Sequence, residues 1–211
     1  MTAPHIQPAP RPELLAPRLP TTLLARLRPI AGLALLAAAL LWRRPLEASM
    51  LLHMIAQLPM ILLGGLLLAG PAVRRSARVA RYDRHGLTGL TALLLVTAYW
   101  MIPRALEQSI TIPLAELGKF LSVAALGMLL PGTLARANTV IQLFYLGNFC
   151  AMTAIAGMLY QDLPERLCNA YLQDDQALTG ACLIIASVAA AVAWCVHNFP
   201  ALTTPTAPAP H

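Results

Sequence analysis

Long apolar runs alternate with short polar segments along most of this chain. The runs fall at about 24–42, 48–70, 86–102, 114–135, 139–160 and 177–197. A hydrocarbon core about 30 Å thick asks for roughly 20 residues of helix, fewer where flanking side chains snorkel. The pattern therefore predicts an all-α fold, a polytopic transmembrane bundle of about six spans over residues 23–197. Arg26, Arg28 and Pro29 interrupt the start of the first run and shorten it. Pro59 lies inside the second and predicts a kink that neighbouring helices absorb. Pro113 and Pro131 lie near the ends of the fourth, where a helix starts or stops. Lys119 sits inside that run, within snorkelling reach of an interface.

The ends lack any such period. Residues 1–29 hold seven prolines and residues 200–211 hold four, and each removes a backbone donor. Disordered, extended tails are expected over 1–22 and 198–211. The apolar run from Ile30 to Trp42 ends in Arg43-Arg44, not at a small-residue cleavage site, so it reads as a first span that stays.

Composition agrees with the pattern. The chain is 58% hydrophobic and 11% charged, whereas a soluble domain carries about 25% charged residues. The partner of most of its surface is then a lipid bilayer. The net charge of +6 follows from topology. The loop from Pro71 to His85 holds Arg74, Arg75, Arg78, Arg81 and Arg84 against Asp83 alone, and such loops stay cytoplasmic. Counting spans from there puts both termini and Arg136 on the cytoplasmic side of an inner membrane. The loop from Gln161 to Gln176, with Asp162, Glu165, Asp174 and Asp175 against Arg166, falls outside. Arg43 and Arg44 fall outside too, partly balanced by Glu47. No aromatic-interleaved basic patch points to nucleic acid.

Chemistry is sparse. There is no Walker-type loop, GxSxG or HExxH, and no pair of histidines placed to hold haem between spans, so no enzyme is expected. Cys150, Cys168, Cys182 and Cys195 have neither CxxC nor zinc-ligand spacing, and no structural disulfide is expected. One stripe stands out. Met50, His53, Met54 and Gln57 follow i, i+3, i+4 and i+7, which places them on one helix face. Thioether and imidazole favour soft copper(I), and the same spacing serves ordinary packing. A second cluster, Asp174-Asp175-Gln176 before Thr179-Gly180, opens the last run. Acids there cap free N–H groups, although two beside an amide exceed what a cap needs. Trp100 and Tyr160 fit an aromatic belt at the same boundary.

These elements resemble the polytopic cytochrome c oxidase assembly factors called CtaG, of the caa-type oxidase kind and distinct from the single-span copper chaperone of that name. Members carry His-Met-x-x-His opening an early span, then an apolar stretch with proline and glycine. This chain reads His53-Met54-Ile55-Ala56-Gln57-Leu58-Pro59, continuing to Gly64. The Asp-Gln pair and glycine of the last span have counterparts in Asp175-Gln176 and Gly180, and a tryptophan–proline element in Trp100 and Pro103. The resemblance covers about residues 48–196. It implies a non-enzymatic protein that assists assembly of a respiratory haem–copper oxidase, with oxidase subunits as partners and copper handled at the outer face. His53, Met50 and Met54 would be transient copper(I) ligands, with Asp175 orienting His53. The chain departs from the family at Gln57, which replaces the second histidine, at Leu183 to Ile185, which lack the expected tryptophan, and in having fewer spans. Two other classes stay open. One is a small transporter or channel lined by Lys119, Gln142, Asn148 and Thr153. The other is a scaffold that docks helices on Gly64, Gly65, Gly147 and Gly157.

Overall fold

The computed structural model describes residues 21–70, 73, 76–163, 167 and 170–203, and every element among them is helical. In chain order these are α1 (Thr21–Leu41), α2 (Arg43–Glu47), α3 (Leu52–Leu68), α4 (Ala77–Tyr82), α5 (Leu87–Trp100), α6 (Pro103–Thr111), α7 (Pro113–Arg136), α8 (Thr139–Asp162) and α9 (Gln173–Thr203). The tails expected over 1–22 and 198–211 lie mostly outside the described residues. Where described, the chain is helical from Thr21 and on to Thr203, past both expected tail boundaries.

Among the described residues three helices are long and apolar enough to cross a membrane: α7, α8 and α9 over Gln173–Asn198. A fourth crossing exists if α5 and α6, bent by 75° at their junction, form one span. The membrane character expected from the sequence stands, but six spans are not confirmed. The reasons are local. The second expected span is the 17-residue α3, roughly 25 Å long at 1.5 Å per residue, short of a full crossing. The third stops at Trp100, because Pro103 forces Ile102 into extended backbone (φ −73°, ψ 122°) and starts α6 in a new direction.

Pro59 shapes α3 in another way. It has no N–H, and its ring would crowd the carbonyl four residues back. The turn before it, Leu52–Gln57, widens to π-helical bonding, and the Leu58 N–H reaches back to the His53 carbonyl. Such single π turns recur at functional positions.

Small residues set the helix crossings. A Cβ on Gly65 would collide with the Ala124 carbonyl, and one on Gly127 with the Leu62 carbonyl, so α3 and α7 touch backbone to backbone. Gly32 and Gly64 bring α1 onto α3 in the same way, and Gly157 and Gly180 bring α8 onto α9. Close backbone approach is how helices associate where lipid removes the hydrophobic drive. Of the glycines considered for partner docking, Gly64, Gly65 and Gly157 are thus used inside the chain, while Gly147 has nothing within 4 Å. Trp100 and Tyr160, expected in an aromatic belt, are buried. The Trp100 indole N–H donates to Ser122 Oγ (3.0 Å), and the Tyr160 hydroxyl donates to the Met101 carbonyl.

The basic loop closes on the far end of α7. Arg74 and Arg75 lie outside the described residues, but buried Asp83 is well placed. Its Oδ2 accepts from Thr133 Oγ1 (2.7 Å) and Arg136 Nη2 (2.7 Å), and its Oδ1 accepts the Gly89 N–H (3.0 Å). Gly86 makes the turn at φ +74°, open to glycine without strain, and a Cβ there would also strike the Thr133 carbonyl. Burial pushes the Asp83 carboxyl up, but the Arg136 and Thr133 side chains and the Gly89 N–H pull it below its ordinary value.

A depressed carboxylate stabilises the fold above its unfolded pKa, and that contribution vanishes as pH falls through the folded value. Asp83→Asn should therefore lower stability by about 1–3 kcal/mol near neutrality. The deficit should shrink as pH drops below about 4. Thermal unfolding in detergent across that range checks it, and a gap that ignores pH would refute the clamp.

Candidate functional site

Near the opposite end of α7, one buried side chain organises its surroundings. Lys119 has no exposure to solvent, on a helix that is otherwise mostly apolar. An ammonium has three protons to donate and no acceptor capacity. The structure supplies three acceptors: Glu47 Oε1 at 2.7 Å, His53 Nε2 at 2.9 Å and Gln57 Oε1 at 2.9 Å. Each comes from a place that local sequence dictates. Glu47 ends the short α2, which Trp42 and Arg43 begin after α1 stops. His53 and Gln57 lie on the π turn that Pro59 enforces, and both are buried.

The rest of the network follows from these bonds. Because Lys119 can only donate, His53 Nε2 accepts, and the ring proton sits on Nδ1, 2.8 Å from the Tyr171 hydroxyl. The Gln57 amide nitrogen is engaged as well, with Nε2 donating to Glu47 Oε1 (3.1 Å) and the Ala39 carbonyl (3.4 Å). The centre is neutral as a whole, one cation against one carboxylate, with a neutral imidazole and an amide between them. Intramembrane charges are paired in this way because lipid offers them no solvation.

A second ion pair lies beside the first. Arg43 on α2 meets Glu116 on α7 at 2.5 Å, so α2 and α7 exchange two crossed pairs, Arg43–Glu116 and Glu47–Lys119. The first is open to solvent on the arginine side; the second is enclosed.

The sequence-predicted metal residues are brought to this region, but not as a metal cage. His53 has both ring nitrogens engaged, by Lys119 and Tyr171. Met50 and Met54 are buried in an apolar cluster with Leu106, Tyr160, Tyr171 and Leu183. Asp175 was expected to orient His53, and it does not. Its Oδ1 accepts from Ser49 Oγ (2.8 Å) and its Oδ2 from the Met50 N–H (2.5 Å), so it caps the chain entering α3. Among the described residues no group of three His, Cys, Asp or Glu could hold a metal ion. As a copper(I) ligand His53 would have to offer its ring lone pair, and here that lone pair faces an ammonium. The donor set does not fit copper in this arrangement.

Gln176, next to Asp175, ties the same end together. Its Nε2 donates to the Tyr160 carbonyl (3.1 Å), and its Oε1 accepts the Leu167 N–H (2.9 Å). Of the side chains considered as a transport path, Lys119 forms this centre and the other three are bonded elsewhere. Gln142, Asn148 and Thr153 donate to backbone carbonyls of their own or a preceding segment, and none is bonded to Lys119. Glu165, Arg166 and Cys168 lie outside the described residues.

Sequence reasoning missed the central role of Lys119, and Glu47 and Tyr171 with it. One signal was present. A lone lysine deep in an apolar helix needs an anion, and Glu47 is the acid nearest the neighbouring run.

A double-mutant cycle tests the centre. Glu47→Gln leaves a buried ammonium without its anion and should cost about 3–5 kcal/mol. Lys119→Met should also destabilise, by leaving Glu47, His53 and Gln57 short of a donor. The combined variant should recover part of the loss, since each change removes what the other left unpaired. Unfolding in detergent micelles reads all three, and strictly additive losses would count against the pairing. Comparison with known proteins adds no assignment, as no family model, no curated protein and no solved structure matches this chain.

Proposed function

We propose that this chain assists the assembly of a respiratory haem–copper oxidase as a non-enzymatic membrane protein, with the Lys119 centre as its working part. One observation carries the reading. The three short elements behind the family resemblance lie far apart in sequence and meet at one end of the bundle. His53 and Gln57 hold Lys119; Asp175 caps the chain three residues before His53; Gln176 and the Trp100–Pro103 break are joined through Tyr160. Elements needed only for bilayer insertion have no reason to converge in this way.

In this reading oxidase subunits are the partners, and the chain contributes a shaped, polar centre within the bilayer rather than a preformed copper cage. No step runs through a bound metal. Removing the gene should lower the haem–copper oxidase absorbance band of isolated membranes several-fold. The wild-type chain should restore it, and Lys119→Met or His53→Ala, present in membranes at equal amount, should not. Normal oxidase in the deletion strain would end the proposal. Normal oxidase with both variants would move the working part away from Lys119.

We place the protein in the inner membrane, with the arginine-rich loop and both termini on the cytoplasmic side. The Arg43–Glu116 pair supports this, because it neutralises one of the arginines on the outer side. Alkaline phosphatase fused after His85 should be inactive, and fused after Asp162 active. The reverse pattern would invert the topology.

A further inference from the structure

The basic loop between α3 and α5 has an outward side that its own acid does not balance. Asp83 is the sole acid between Leu68 and Leu87, and it is buried, held by Arg136, Thr133 and the Gly89 N–H. Arg136 is thereby neutralised. Arg78, Arg81 and Arg84 are exposed and enter no ion pair among the described residues. Arg78, Arg81 and Tyr82 follow i, i+3 and i+4 on α4, so they share one side of it. Val79 and Ala80 between them are half-buried, which turns the basic side of α4 away from the bundle.

The neighbouring spans fix the depth of this face. Thr88 Oγ1, in the first turn of α5, donates to the Tyr82 carbonyl (2.7 Å). Arg136, the last residue of α7, donates through Nε to the Asp83 carbonyl (2.7 Å). Leu87, Leu134 and Val140, in the end turns of α5, α7 and α8, are exposed apolar side chains, as expected at the edge of the hydrocarbon. The arginines follow just beyond that edge, at the level of lipid phosphates, and the exposed Tyr82 suits the same depth. Guanidinium groups pair bidentately with phosphate. A zwitterionic headgroup brings its own cation, whereas an anionic one answers the three uncompensated arginines.

We propose that the outer side of α4, together with Arg84, binds the headgroups of anionic phospholipids in preference to zwitterionic ones. Basic residues clustered beside a span attract such lipids over about a Debye length. The inference rests on the chain spanning a bilayer and not on any role in oxidase assembly.

The test uses the full chain in detergent with equimolar phosphatidylglycerol and phosphatidylcholine of matched acyl chains, read by native mass spectrometry. The wild type should hold the glycerol lipid about tenfold over the choline lipid. Arg81→Gln should lower that ratio about threefold, and Arg78→Gln, Arg81→Gln and Arg84→Gln combined should bring it near one. Arg104→Gln removes the same charge from an exposed position on α6 and should leave the ratio unchanged. A wild-type ratio near one, a preference that survives the triple variant, or an equal loss in Arg104→Gln overturns the site. If the triple variant does not fold, the wild type in rising salt decides: the preference should fall steadily, and one indifferent to salt overturns the proposal. Inorganic phosphate in tenfold excess at fixed ionic strength should leave the lipid bound. Displacement would assign the face to a free anion and overturn the lipid reading.

Discussion

An ammonium group buried in a membrane bundle has to be met by an anion and by enough acceptors for its three protons, and Lys119 imposes that demand on everything around it. The cost of an unpaired ion in a medium without water is several kcal/mol, far above what helix propensity contributes. Two separate segments answer it: the end of α2 with Glu47, and the π turn of α3 with His53 and Gln57. Each otherwise looks like a defect. The helix of Arg43–Glu47 has five residues, too few to hold in isolation, and the π turn forgoes regular bonding. Both are fixed by what they bring to Lys119. In turn His53 is held in one tautomer and positions Tyr171, which joins the apolar cluster around Met50 and Met54.

The second pair on the same two helices shows why location decides the worth of a charge. Arg43–Glu116 is shorter than Glu47–Lys119, yet its arginine side is open to solvent, so it contributes little to stability. Its effect is on charge balance. It removes one positive charge from the end of the bundle where a positive-inside count has too many, and it leaves the neighbouring Arg44 without an ion pair among the described residues. Counting basic residues along the chain sees Arg43 and Arg44 both on the outer side; the folded chain neutralises the first.

What the sequence made legible follows from the range of each signal. Apolar runs report helices that need only lipid on their outer faces, so α7, α8 and the start of α9 appear within a few residues of the expected 114–135, 139–160 and 177–197. The second and third runs misled for a stated reason. An apolar window does not register that Pro59 widens a turn or that Pro103 turns the chain by 75°. The site was half legible. Spacing put His53 and Gln57 on one face, and they do share one. Spacing is silent on what stands opposite, so Lys119 read as a snorkelling residue and Gln57 as a failed ligand. Across α3 and α7 they prove to be donor and acceptor. Asp175 was likewise placed near His53 but not on it, because a short carboxylate finds the free N–H groups of a helix start before it finds a ring that already has two partners.

α7 links the two ends of the molecule. At one end it carries Glu116 and Lys119, at the other Thr133 and Arg136, which hold Asp83, and between them Gly127 lets α3 lie against its backbone. With α1 packed on α3 through Gly32 and Gly64, these helices form one unit whose crossings leave no space for a side chain to shift. α8 and α9 form a second unit on Gly157 and Gly180. The hydrogen bonds from one unit to the other concentrate near the Lys119 end: Asp175 to Ser49 and Met50, Tyr171 to His53, and Tyr160 to Met101. Elsewhere they are few, as between Thr91 and Tyr145. The Glu47–Lys119 pair lies within the first unit, so a rotation of the second against it would loosen the His53–Tyr171 and Asp175 contacts while leaving the ion pair made.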